Sequence, residues 1–133
     1  MSMTKEEKNV IIEHRLKRAG QTLVEAKELI RLNLWHGAAN RLYYACFYAA
    51  TALLAKRGYF PQTHGGVLTL LGKHFVATGI ITKEQNKFYQ ALFDLRGDGD
   101  YGDGFEIDEE NVKPLFQPAK NFISEVEKLL VGN

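Results

Sequence analysis

Cysteine and proline are scarce in this chain, and it has no apolar run of membrane-spanning length. Cys46 is the only cysteine in 133 residues, which rules out an internal disulfide. Its place inside an apolar run points to a buried thiol in a reducing compartment. The opening residues MSMTKEEKNV hold no apolar stretch of the kind found in a signal peptide, so a cytoplasmic protein is expected. The most apolar stretch, Leu42 to Ala55, falls short of the about 20 residues a bilayer core requires, and no membrane association is expected. No pair among His14, His36, His64 and His74 has the spacing of a zinc site, so neither a metal nor another cofactor is expected. There is no Walker-type glycine loop, and no serine or cysteine nucleophile has a base nearby in sequence. Strand-like alternation and internal repeats are also absent.

The composition is that of an ordinary soluble globular chain: 45% of residues are hydrophobic and 25% charged. Residues 1–133 are expected to form a single domain with one core and no covalent staples. The net charge of +1 conceals a split, because residues 1–60 carry ten Lys/Arg against five Asp/Glu while residues 61–133 carry seven against eleven. A basic first half suits self-association or an anionic partner.

The chain is organised around GAANRLYYACFYAATALLAKRG, residues 37–58. From Leu42 to Ala55 only Thr51 is neither apolar nor aromatic, so this helix is expected to have neighbours on every side. Before it, Ile12, Leu16, Ala19, Leu23, Ala26 and Ile30 follow spacings of four and three, the seam of one long helix. Thr4 and Glu7 have the spacing of a capping box. The turn is expected over residues 33–37, and Gly58 with Pro61 just beyond stops the second helix. Thr63 caps a third helix to about Ala77, with His64 helping and His74 and His14 packing with polar tips outward. Thr82 starts a fourth, whose seam of Phe88, Leu92 and Leu95 ends at Arg96. Residues 97–107, GDGDYGDGFEI, hold four glycines and three aspartates, a density expected to end the helix. Asp108, Glu109 and Glu110 open the last helix, where Pro114 and Pro118 predict a kink or a loose first turn. The fold class is therefore all-α: an antiparallel up-and-down bundle of about five helices.

Two stretches offer chemistry. Arg96 is followed by Asp98, Asp100, Tyr101 and Asp103, a charge-and-phenol cluster in which the guanidinium can grip a phosphate or carboxylate through two bonds. Asp98, Asp100, Gly104 and Glu109 fall at positions one, three, seven and twelve of a calcium loop. Positions five and six are wrong for that loop, so calcium is not expected. On the second helix Arg41, Tyr44 and Tyr48 share one face, with Asn40, Tyr43 and Phe47 alongside. A cation on so apolar a helix needs an acid partner, and the aspartates around Arg96 are the candidates. Arg41, Arg96, Asp100 and Tyr101 are accordingly expected in one polar cluster.

The segments NRLYYACFYAATALLAKRG, THGGV and LFDLRGDGDYG, in this order, resemble the HEPN family (higher eukaryotes and prokaryotes nucleotide-binding). In particular they are similar to its small stand-alone prokaryotic branch with an Arg-x-x-x-Asp-Tyr signature, from about residue 8 to 130. The resemblance implies a five-helix bundle, a homodimer with a cleft near its interface, and pairing with a small nucleotidyltransferase, often as a toxin–antitoxin module. Many members are metal-independent RNases in which a histidine follows the arginine with four to six residues between them. Arg96 matches the arginine, but the histidine positions hold Tyr101, Gly102 and Asp103. In a related branch the partner nucleotidylates a tyrosine two residues beyond that histidine, and Asp103 stands there. The expectation is a non-catalytic nucleotide- or RNA-binding module, with Arg96, Asp100, Tyr101, Arg41 and Tyr44 binding the ligand. The alternative is an RNase with a remodelled site of Arg96, Asp100, Tyr101 and His64. A purely structural role for the bundle is the third reading.

Overall fold

The computed structural model describes residues 3–101 and 106–131, and of residues 98–101 the backbone alone. Helix α1, Lys5–Arg31, begins at a capping box: the Glu7 amide donates to Thr4 Oγ1 at 3.1 Å and the Thr4 amide to Glu7 Oε1 at 2.8 Å. This satisfies amides that the first helical turn leaves without intrahelical partners. Its buried residues Ile12, Ala19, Thr22 and Ala26 lie along the expected seam. The turn after it is shorter than expected. Asn33 takes a left-handed φ of 59° and α2, Trp35–Lys56, starts before Gly37.

Helix α2 is enclosed as its composition demands. Alanines 38, 39, 45, 49, 50, 52 and 55 are buried on it, and α1, α4 and α6 pack around it, with α3, His64–Leu71, against it as well. Small side chains let these backbones approach closely, while Tyr43, Leu42, Leu54 and Cys46 fill the centre. Gly58, at φ 84°, ends the helix. Helix α3 opens on Thr63, whose Oγ1 accepts from the Gly66 amide at 2.9 Å. It runs into a π-helical turn over Gly72–Val76 and stops at Gly79, φ 80°.

Helix α4, Lys83–Tyr101, corrects one expectation, since it continues past Arg96 through Gly97 and Gly99. A glycine costs about 1 kcal/mol in a helix interior. Extending a formed helix, however, adds a hydrogen bond for each residue fixed and avoids the nucleation step. Two glycines are too few to stop it. At the other end of the chain the prolines act as expected. A short α5, Glu109–Val112, capped by Asp108, passes through a 3₁₀ turn at Lys113–Leu115 into α6, Phe116–Val131. Pro114 lies in the 3₁₀ turn, and Pro118 in the first turn of α6, where an amide has no partner within that helix. Counting α5 and α6 as one broken helix, the described residues form an all-α bundle of five helices. Among them no helix is long and apolar enough to cross a membrane.

Candidate functional site

Tyr43 is fully buried on α2, and its hydroxyl meets Nδ1 of His64 at 2.6 Å. His64 is the first residue of α3. The Pro61–Thr63 turn sets its position, and a Cβ at Gly66 would press on that turn, 3.0 Å from Thr63 Oγ1 and 3.2 Å from Pro61 Cβ. The imidazole sits among aromatic rings, 4.8 Å from Phe47, 5.5 Å from Tyr43, 5.8 Å from Tyr44 and 6.2 Å from Phe93 between centroids. Capping, which was expected of His64, falls to Thr63 alone. A side chain at the first helical position points away from the free amides that the preceding residue reaches.

Arg96 comes in from α4. Its guanidinium carbon lies 5.2 Å from the Tyr43 ring centre, 5.9 Å from Tyr44 and 5.8 Å from Phe93. Cations favour such ring faces, most of all where water is partly excluded. Burial, and then the charge on Arg96, hold the His64 pKa below the ordinary imidazole value. The imidazole is therefore mainly neutral at pH 7 and able to accept a proton. Burial pushes the Tyr43 phenol up to about 12, against a smaller opposing pull from Tyr89 and Arg96, so its hydroxyl keeps its proton.

Arg41 joins this group through Tyr44, with its guanidinium carbon 5.4 Å from the ring that Arg96 also approaches. The described carboxylate against Arg41 is Glu25 of α1, at 3.5 Å, and Asn40 Oδ1 accepts from its Nε at 3.0 Å and its Nη2 at 2.6 Å. Glu25 reaches it because α1 runs antiparallel beside α2, a neighbour that spacing within one helix does not reveal. The side chains of Asp98, Asp100, Tyr101 and Asp103 lie outside the described residues. Arg41, Tyr44, Arg96 and His64 are thus brought together. Tyr43, which the sequence sets alongside the Arg41 face, is the link between α2 and α3. His74 stacks on Tyr59 at 4.4 Å, well apart from the site in role, and His36 Nε2 accepts from the Ile107 amide at 3.4 Å. Among the described residues no three His, Cys, Asp or Glu side chains gather to hold a metal ion.

Residues 12–129 match the HEPN domain family, a span that includes every residue of this site. The chain belongs to the HEPN domain family. Among similar proteins, a UPF0332 protein of Thermotoga maritima is 44% identical over 124 residues, covering 93% of this chain and 94% of that protein. A protein of Methanocaldococcus jannaschii named "Putative toxin" is 27% identical over 121 residues, covering 91% of this chain and 82% of its own. The crystal structure of TT1696 from Thermus thermophilus superposes with a TM-score of 0.75 at 17% identity, covering 88% of this chain and 96% of that one. At that identity the likeness concerns the fold. In this HEPN chain the imidazole beside the arginine comes from α3, across the bundle, whereas the α4 sequence after Arg96 has none.

Proposed function

We propose that this HEPN chain is a nucleotide- or RNA-binding module that grips a ligand phosphate with Arg96, aided by Arg41 and neutral His64. The observation that carries the reading is the approach of two guanidinium groups to one ring, Tyr44, where the described carboxylate, Glu25, stands against Arg41. Two cations gathered at one ring favour an anionic ligand beside them. The name of the M. jannaschii relative favours a toxin–antitoxin setting, in which the chain acts as a homodimer and pairs with a small nucleotidyltransferase. The exposed apolar residues Val10, Val24, Leu32 and Leu34 supply surface for such association. Sedimentation showing only a 15.1 kDa species at micromolar concentration would remove the dimer.

A second reading is favoured by His64. In metal-independent RNA cleavage the 2′-hydroxyl attacks the adjacent phosphorus and loses its proton to a base. The 5′-oxygen then leaves with a proton, and a 2′,3′-cyclic phosphate remains. In this reading His64 takes the first proton at Nε2, in the tautomer whose Nδ1–H donates to the Tyr43 oxygen, and Arg96 offsets charge building on the phosphate. The deciding experiment titrates labelled RNA and ATP into wild type, Arg96→Ala and His64→Ala at two salt concentrations, with cleavage followed on a gel. Binding lost in Arg96→Ala without cleavage by wild type supports the module. Cleavage that both variants lose makes the chain an RNase, and equal binding by all three removes Arg96 from the site.

A further inference from the structure

A cavity of about 330 Å³ lies between α1, α2 and the loop leading to α3, with His14, Arg15, Arg18, Phe47 and Tyr48 in its lining. Arg15 and Arg18 are three residues apart on α1 and so share a face. Nη1 of Arg15 donates to the Thr51 carbonyl at 3.3 Å, and its guanidinium carbon lies 5.8 Å from the Phe60 ring centre. Nη2 of Arg18 donates to the Tyr48 hydroxyl at 3.3 Å, and its guanidinium carbon lies 5.1 Å over that ring. Among the described residues neither arginine is ion-paired. The acid that acts on Arg18 is Glu25, two turns along α1, and it is engaged by Arg41. Partial burial lowers the Arg15 pKa, and no described carboxylate is paired with its charge.

A guanidinium has five donors, and each of these uses one on the protein in the bonds above. The Tyr48 and Phe60 faces are already covered by cations, so the cavity suits a phosphate better than a stacked base. Phe47 lines it and packs against His64, 4.8 Å between ring centres, so the cavity and the site around Arg96 share one aromatic wall. A strand carrying a phosphate at every nucleotide places charge along this whole path. We propose that Arg15 and Arg18 form a second phosphate site, holding the backbone of a single-stranded RNA whose neighbouring nucleotide sits at Arg96 and His64. The inference rests on the nucleotide-binding reading of that first site.

The test follows the anisotropy of a short labelled oligouridylate, and AMP binding by calorimetry, in wild type, Arg15→Gln/Arg18→Gln, Arg18→Gln and Arg96→Ala. The double variant is expected to bind the oligouridylate about tenfold or more weakly. Its log–log salt slope should fall by about 1.4, at about 0.7 for each single-strand phosphate contact, with AMP binding as in wild type. Should the double variant fail to fold by circular dichroism, Arg18→Gln decides, since Arg18 lies at the surface; its slope should drop by about half as much. Wild-type RNA affinity and slope in the variant that decides would overturn the proposal. AMP binding by a wild type that ignores RNA would do the same and leave the cavity to an acidic protein surface. Binding of neither probe by wild type would refute the nucleotide-binding reading itself, and this inference with it.

Discussion

Replacing Tyr43 by Phe deletes one oxygen from the centre of the site and leaves the packing intact. The ring is fully buried and lies within 5.1–5.8 Å of Tyr44, Phe47, His64, Tyr89 and Phe93. A phenylalanine keeps all five contacts and opens only an atom-sized gap. What goes is the 2.6 Å bond to His64 Nδ1. A neutral hydrogen bond contributes about 0.5–1.5 kcal/mol, and a fully buried orphaned partner would add about 1–3. His64 is only partly buried, so water can reach its ring, and the smaller figure governs. We expect a loss of about 1 kcal/mol, or roughly 3–5 °C in Tm for a chain of this size. Urea unfolding at pH 7.5 measures it, and a double-mutant cycle with His64→Ala isolates the pair. The coupling should be about 1 kcal/mol, whereas changes that add to within about 0.3 kcal/mol would show that Tyr43 does not hold His64.

Other consequences can be checked separately. Thr22 is fully buried on α1 and its hydroxyl has no hydrogen-bond partner among the described residues, so Thr22→Val should raise stability by about 1 kcal/mol in urea unfolding. His64 has a folded pKa below its unfolded value, so the unfolded chain binds the proton first as pH falls. Its contribution to stability is fully present above about pH 6.5 and is lost as pH drops through the folded pKa. Arg96→Gln should move the His64 titration upward in proton NMR, and an unmoved titration would mean that the two groups do not sense each other. Cys46 is fully buried and burial pushes its thiol pKa up, so a thiol reagent should modify it only as fast as the chain unfolds. The capping box of α1 predicts that Thr4→Ala costs about 1 kcal/mol, read from thermal unfolding.

Much of the fold is legible in the sequence because its causes are local. The four–three spacing of Ile12, Ala19 and Ala26, the Thr4–Glu7 and Thr63 caps, the stop at Gly58 and the break at Pro114 each depend on residues within a turn or two. The enclosure of α2 follows from having no polar face to turn outward. One local inference failed: the density of glycine after Arg96 was expected to end the helix, while the helix before it had already met the cost of starting. The family resemblance and Arg96 were visible for the same reason, as ordered motifs along the chain. Arg41, Tyr44 and His64 were also legible as candidates, but their contacts were not. Tyr43 and His64 are 21 residues apart and Arg41 and Glu25 are 16 apart, and neither pair has a spacing that predicts contact. Arg15, Arg18 and Tyr48 come together only where α1 and α2 are laid side by side. Local hydrogen bonding and apolar periodicity determine which helices form. Which cation meets which ring, and which helix supplies the imidazole, depends on how those helices pack, because contacts across a bundle leave no period in the sequence.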